Sequence, residues 1–213
     1  MLTKTSRRQL WFVAGLCTFL AARPAVGVES TGPILHVAVH NDAGVPPARV
    51  AEAESAAGKV FAIAGLQLDW MNCGLPGESD ADARRCGEAS YPTHLQLRIL
   101  ARPRHLNAST FGISYLAADG TGCYSEIFSA QVQDLGGDPE VRSVILGHVM
   151  AHEIAHLLLG TNSHAESGIM RARWQAAELA GAGKGELWFS ARQSQIMRQK
   201  LSSSGKSSEA PIS

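Results

Sequence analysis

The sequence has no apolar run long enough to cross a bilayer. Its longest, Leu10 to Ala22, is interrupted by Thr18 and falls short of the roughly 18 to 20 residues that a spanning helix needs. Neither sign of charge dominates, with 19 Lys and Arg against 19 Asp and Glu, so the chain carries no electrostatic footprint for nucleic acid or an anionic membrane. It shows no internal repeat, which argues against solenoid and propeller architectures. Cysteine is sparse, at four residues. What is present, 213 residues of which 45% are hydrophobic and 18% charged, suits one globular domain with a sizeable core.

The first 27 residues are expected to be a secretory signal peptide. Lys4, Arg7 and Arg8 precede the apolar run, and small residues follow around Ala25 and Gly27, where cleavage would fall. Ser6-Arg7-Arg8-Gln9-Leu10 also resembles a twin-arginine signal, which would mean export after folding. Losing this segment leaves 15 basic and 19 acidic residues. The protein is therefore expected outside the cytoplasm, secreted or periplasmic, with no stable membrane insertion. Cys73 and Cys86 flank a polar loop rich in Gly, Asp and Arg, the kind a disulfide closes in an oxidising compartment. Cys123 is then left over and reads as a buried free thiol.

A single folded domain is expected over 28–201, followed by a disordered Ser-rich tail over 202–213. Ile34 to His40 has the look of a strand. Apolar residues from Val50 to Ala64 recur at helical spacing with Gly65 placed to end the helix. Leu66 to Met71 and His94 to Leu100 read as strands, and Phe111 to Ala117 with Gly122 to Phe128 as a hairpin. Asp138, Pro139 and Glu140 form a strong helix start. The helix should run to about Leu159 and, lacking a polar face, should lie in the domain centre. A short helical turn near Trp174 to Leu179 and a last helix from Ser190 to Leu201 complete the order.

Inside the buried helix stands His152-Glu153-Ile154-Ala155-His156. Residues four apart on a helix are rotated by only about 40° and raised by about 6 Å, so the two imidazoles can share one ion, and zinc is the expected metal. Glu153, on the adjoining flank, is placed to take a proton from water on the metal rather than to ligate it. A catalytic zinc keeps a third protein ligand. His164, brought back by the loop after Gly160, is the nearest group, with Glu166 and Glu178 as competitors. His148 lies on nearly the same helical face but one turn too far to share a tetrahedral ion, and reads as a packed, hydrogen-bonded core residue. His36, His40, His94 and His105 are isolated.

The His152-Glu153-x-x-His156 helix, the glycine that breaks it, a third histidine soon after and Met170 in Ser167-Gly168-Ile169-Met170 resemble the metal helix and Met-turn of the metzincin branch of the zinc peptidases. The spacing to the third histidine is wider than in that family. The resemblance implies an α+β, metzincin-like fold: a twisted mixed sheet, a buried zinc helix, a Met-turn and a C-terminal helix. It also implies His164 as the third ligand, Met170 as an apolar floor beneath the metal, and a strand near Gly122 to Phe128 edging the cleft to pair with an extended peptide.

The function these features predict is an exported, monomeric zinc metallopeptidase acting on peptide or protein substrates. Zn2+ sits on His152, His156 and His164, and Glu153 is the general base. No segment long enough for an inhibitory pro-domain separates the expected cleavage site from the first strand. The rivals are a zinc hydrolase of a non-protein amide, such as one in a cell wall, and a non-enzymatic exported zinc-binding module.

Overall fold

A computed structural model describes residues 32–103 and 110–207. The expected signal peptide, His105 and the last six residues lie outside these. Five strands form one sheet: β1 (Ile34–Asn41), β2 (Gln67–Cys73), β3 (His94–Leu100), β4 (Gly112–Tyr115) and β5 (Tyr124–Phe128). Their order is β2-β1-β3-β5-β4. All neighbours run parallel except β4, which pairs antiparallel with β5. The helices are α1 (Pro47–Ile63), α2 (Asp80–Cys86), α3 (Ser129–Gln133), α4 (Pro139–Leu159), α5 (Ala176–Gly183) and α6 (Ala191–Ser207).

Alternation along the strands sets the two faces of the sheet. Leu35, Val37 and Val39 of β1 and Leu95, Leu97 and Ile99 of β3 are fully buried. They join the main core with Val50, Ala53, Ala57, Val60 and Phe61 of α1 and with Ile154, Leu157 and Leu158 of α4. His36 and His40 point the other way, where His36 stacks on His94 and its Nδ1–H donates to the Asp69 carboxylate at 2.9 Å. These histidines serve the outer sheet face, and His36 and His94, isolated in the sequence, are brought together there. The apolar helices thus cover one face, and the second face carries the smaller α2.

α4 is buried almost throughout from Ser143 to Leu158. Its start follows the sequence expectation: the Asp138 carboxylate accepts from the Glu140 amide at 2.8 Å and Pro139 occupies the first turn. It ends at Gly160, whose φ of 67° is a left-handed C-cap. The close crossing of α1 and α4 is made at Gly147. A Cβ there would lie 2.3 Å from the Ala53 carbonyl oxygen, so no larger residue fits without moving a helix.

Two short helices escape the sequence reading. α2 has only one buried residue, Cys86, and is held by the Ser79 cap, acidic Asp80 and Asp82 in the first turn and Arg84 and Arg85 in the last. Without an apolar stripe it has no period to read. α3 is a five-residue turn on the end of β5. The last helix has the capping pair Ser190 and Gln193 and continues to Ser207, so residues 202–207, expected in a disordered tail, are helical here.

The expected disulfide joins Cys73 to Cys86, with Cα atoms 5.8 Å apart. Glu78 lies close to both sulfurs, but sulfurs bonded to one another are not available as metal thiolates. Cys123 is a free, half-buried thiol whose pKa burial pushes up. Replacing both Cys73 and Cys86 by serine should cost about 3 kcal/mol through the 13-residue separation they close. Urea unfolding of oxidised wild type against the double variant measures this, and an unchanged midpoint would show that the bridge contributes nothing.

Candidate active site

His152, Glu153 and His156 are all buried on the inner face of α4. The His152 Nδ1–H donates to the Ile169 carbonyl at 2.6 Å, and the His156 Nδ1–H donates to the Thr161 carbonyl at 2.7 Å. A carbonyl only accepts, so each ring keeps its proton on Nδ1 and its lone pair on Nε2. The two Nε2 atoms face each other at 3.0 Å. Burial, followed by the neighbouring His156, pushes the His152 pKa down to about 3, and burial lowers His156 as well. A shared proton is therefore a poor bridge. Two buried lone pairs aimed at one point fit a metal cation, and imidazole nitrogens fit zinc. Carbonyl partners that orient ligand histidines are the usual outer support of such a site.

His164 completes the group. Its ring centroid lies 4.8 Å from that of His156 and 5.5 Å from that of His152, and one nitrogen from each of the three rings falls within a 4.8 Å cluster. The wider spacing is accommodated by a loop with its own bonds. Gly160 turns the chain, the Thr161 hydroxyl accepts from the Ser163 amide, and the Ala165 amide donates to the Met170 carbonyl. The rival carboxylates do not join the cluster. Glu178 is bound to Arg171 at 2.5 Å and caps α5 through the Gln175 amide, and Glu166 is exposed. Met170 is 1% exposed within the core, on the turn that Gly168 permits with a φ of 76°. His148 is fully buried with Nδ1 on the Val144 carbonyl at 2.9 Å, outside the cluster as expected.

Glu153 sits between α4 and the β4–β5 hairpin. The Ser114 hydroxyl lies 2.7 Å from both Glu153 Oε2 and the Glu153 backbone carbonyl, and 2.9 Å from the Ser125 hydroxyl. Ser114 and Ser125 are directly opposite in the hairpin register. Burial raises the Glu153 pKa to about 7, against the opposing pull of the Ser114 hydroxyl. Gly112 leaves room for the carboxylate: a Cβ there would meet Glu153 Cγ at 2.6 Å and Oε1 at 2.8 Å. So Oε2 is held by serine while Oε1 lies beside a glycine that lines the cleft.

That cleft, of about 680 Å³, is lined by Thr110, Phe111 and Gly112, by His152, Glu153 and His164, and by Arg171 to Trp174. Trp174 is tied to His152 through a shared partner, because its indole N–H donates to the same Ile169 carbonyl at 3.0 Å. The strand at the cleft is β4 rather than the Gly122 to Phe128 segment expected to pair with substrate. β5 is paired on both sides, by β3 and β4, and has no free edge to offer. Ser114, Ser125, Gly112 and the two carbonyl partners went unread in the sequence. Their one signal is the pair of small residues Gly112 and Ser114 at strand spacing, which acquires meaning only with the register.

An archaemetzincin from Methanopyrus kandleri is similar over 83% of this chain and 99% of its own, at 18% identity and a TM-score of 0.50. A zinc-dependent peptidase from Methanocorpusculum labreanum is similar over 76% of this chain and 99% of its own, at 13% identity and a TM-score of 0.53. The chain has an archaemetzincin-like fold. The α+β, metzincin-like architecture expected from the helix motif and Met-turn is therefore borne out. By sequence, no known protein family matches the chain and no curated protein does. The archaemetzincin-like fold is thus carried by element order and sheet topology, at identities too low to transfer the role of any residue.

Proposed function

We propose that this chain is an exported zinc metallopeptidase that hydrolyses peptide bonds as a monomer, with His152, His156 and His164 holding Zn2+ and Glu153 as the general base. The observation that carries the reading is the pair of buried Nε2 lone pairs 3.0 Å apart, beside a buried carboxylate at a cleft large enough for several residues of peptide. Zinc, when bound, supplies Lewis acidity toward a substrate carbonyl and toward water. Glu153 takes the water proton on Oε1, since Oε2 is engaged by the Ser114 hydroxyl, and returns it to the leaving amine. Its place in a buried pocket raises its proton affinity toward neutrality, which suits a group that must both accept and release a proton near pH 7. Phe111 and Trp174, ring centroids 6.2 Å apart, both line the cleft. The signal-like N-terminus and the disulfide support a location outside the cytoplasm.

The test is zinc content of the purified chain with hydrolysis of a mixed peptide library on the same samples. Wild type is expected to hold one equivalent of zinc and to cut peptides. His164→Ala should lose far more zinc affinity than the roughly 10- to 100-fold that follows loss of an outer-shell partner. Absence of zinc from wild type after reconstitution would remove the enzyme reading. Zinc with cleavage of cell-wall amides alone would replace the substrate class.

A further inference from the structure

Two buried hydroxyls stand behind Glu153, and only one of them touches it. Ser114 on β4 is 4% exposed and Ser125 on β5 is fully buried. Burying a hydroxyl is unfavourable unless it finds a partner. The groups in reach of Ser114 that can only accept both belong to Glu153: Oε2 and the backbone carbonyl, each 2.7 Å away. The single Ser114 proton is therefore directed at Glu153, and the contact with Ser125 at 2.9 Å is made by the Ser125 hydroxyl donating to Ser114 Oγ. Ser125 has no other hydrogen-bond partner among the described residues. The order of donation is Ser125 to Ser114 to Glu153.

That order fixes an orientation. A glutamate side chain turns about several single bonds, and holding it in one rotamer opposes their entropy. The Ser114 hydroxyl touches both ends of that series, the Glu153 main-chain carbonyl and Oε2, so one atom ties the carboxylate to its own helix. Gly112, two residues earlier on the same face of β4, acts on the other oxygen. A Cβ there would lie 2.8 Å from Oε1, and this glycine lines the cleft. One strand face thus holds Oε2 by a hydroxyl and leaves Oε1 open by lacking a side chain. A buried donor that itself accepts from a second hydroxyl is polarised and makes the stronger bond. Small apolar residues would fill positions 114 and 125 without burying two hydroxyls, so packing alone does not call for the pair.

We propose that Ser114 is a positioning residue that turns Glu153 Oε1 toward the cleft, and that Ser125 aims Ser114. The assignment rests on the peptidase reading above. Misplacing a reacting group by about 1 Å can cost roughly 100-fold in rate, so hydroxyls outside the cleft and the metal group would still set kcat.

The experiment uses the zinc-loaded full chain and one peptide that wild type cuts, with rates expressed per bound zinc. Ser114→Ala should keep its zinc and lower kcat by about 10- to 100-fold, with KM within about 2-fold of wild type. Ser125→Ala leaves every atom in contact with Glu153 in place and should lower kcat by a smaller factor. The double variant should be no slower than Ser114→Ala, because Ser125 acts only through Ser114. Hydroxyls that merely pack would lower the melting temperature of both variants and leave kcat per zinc unchanged, which would overturn the proposal. Loss of zinc from Ser114→Ala would overturn it too, and losses that multiply in the double variant would remove the role of Ser125. Should Ser114→Ala not fold, Ser125→Ala decides alone: a lower kcat at unchanged KM supports the proposal and an unchanged kcat overturns it. Each of these outcomes leaves wild-type cleavage intact, whereas a wild type that holds zinc and cuts no peptide removes the peptidase reading and this role with it.

Discussion

Replacing Glu153 by glutamine should lower kcat for peptide hydrolysis by about 10²- to 10⁴-fold, the usual worth of a positioned general base, while the purified protein keeps its zinc. Both halves of this result follow from the surroundings of Glu153. The carboxylate is not one of the three clustered nitrogen donors, so its loss leaves the metal group whole. Glutamine is nearly isosteric, fits the space that Gly112 leaves, and still offers an oxygen to the Ser114 hydroxyl. What it lacks is a site for the proton. Because burial already raises the Glu153 pKa to about 7, a neutral amide at this position removes a desolvation cost, and the variant should melt no lower than wild type. Kinetics, elemental analysis and a melting curve on one preparation give three readouts. A fall in activity accompanied by loss of zinc would mean that Glu153 acts on the metal and not on the proton, and undiminished activity would remove it from the mechanism.

The sequence carried the helix of the candidate site almost completely, and the reason is geometric. Helical periodicity is local, so two histidines four apart and a capping Asp138-Pro139-Glu140 are enough to place both rings on one face without knowing anything else about the fold. The elements before the helix were legible for the same reason, through alternation in β1 and β3 and the apolar stripe of α1. What the sequence withheld depends on contacts between distant segments. Ser114 reaches Glu153 only because β4 closes the sheet beside α4, and Ser125 meets it only through the hairpin register. The carbonyls of Thr161 and Ile169 are backbone atoms, which residue identity does not mark. The edge strand was misplaced from β4 to β5 because strand order is a property of the whole sheet. α2 was lost because its stability comes from caps and a disulfide rather than from an apolar face.

Removing the metal should destabilise the fold as well as abolish activity. The Nε2 lone pairs of His152 and His156 lie 3.0 Å apart in the interior, and the hydrogen bonds on both Nδ1 atoms hold the rings in the tautomer that sets those lone pairs against each other. A cation held between them would relieve that conflict. Held by His164 as well, it would link α4 to the loop after Gly160 and so tie the Met170 turn to the helix from a second point besides the Ile169 carbonyl. A ligand bound only by the native state stabilises by about 4 kcal/mol when present at a thousand times its dissociation constant, and in a chain of this size each kcal/mol moves the midpoint by about 2–4 °C. Chelation should therefore lower the melting temperature by about 8–16 °C, reversibly on adding zinc. His152→Ala should melt low with or without chelator, because the shift requires the metal site and not the reagent. If wild type gave up its zinc with no change in melting temperature, the three histidines would not be coupling the ion to the folded state. The metal would then have to be held elsewhere, or by groups that remain equally available when the chain unfolds.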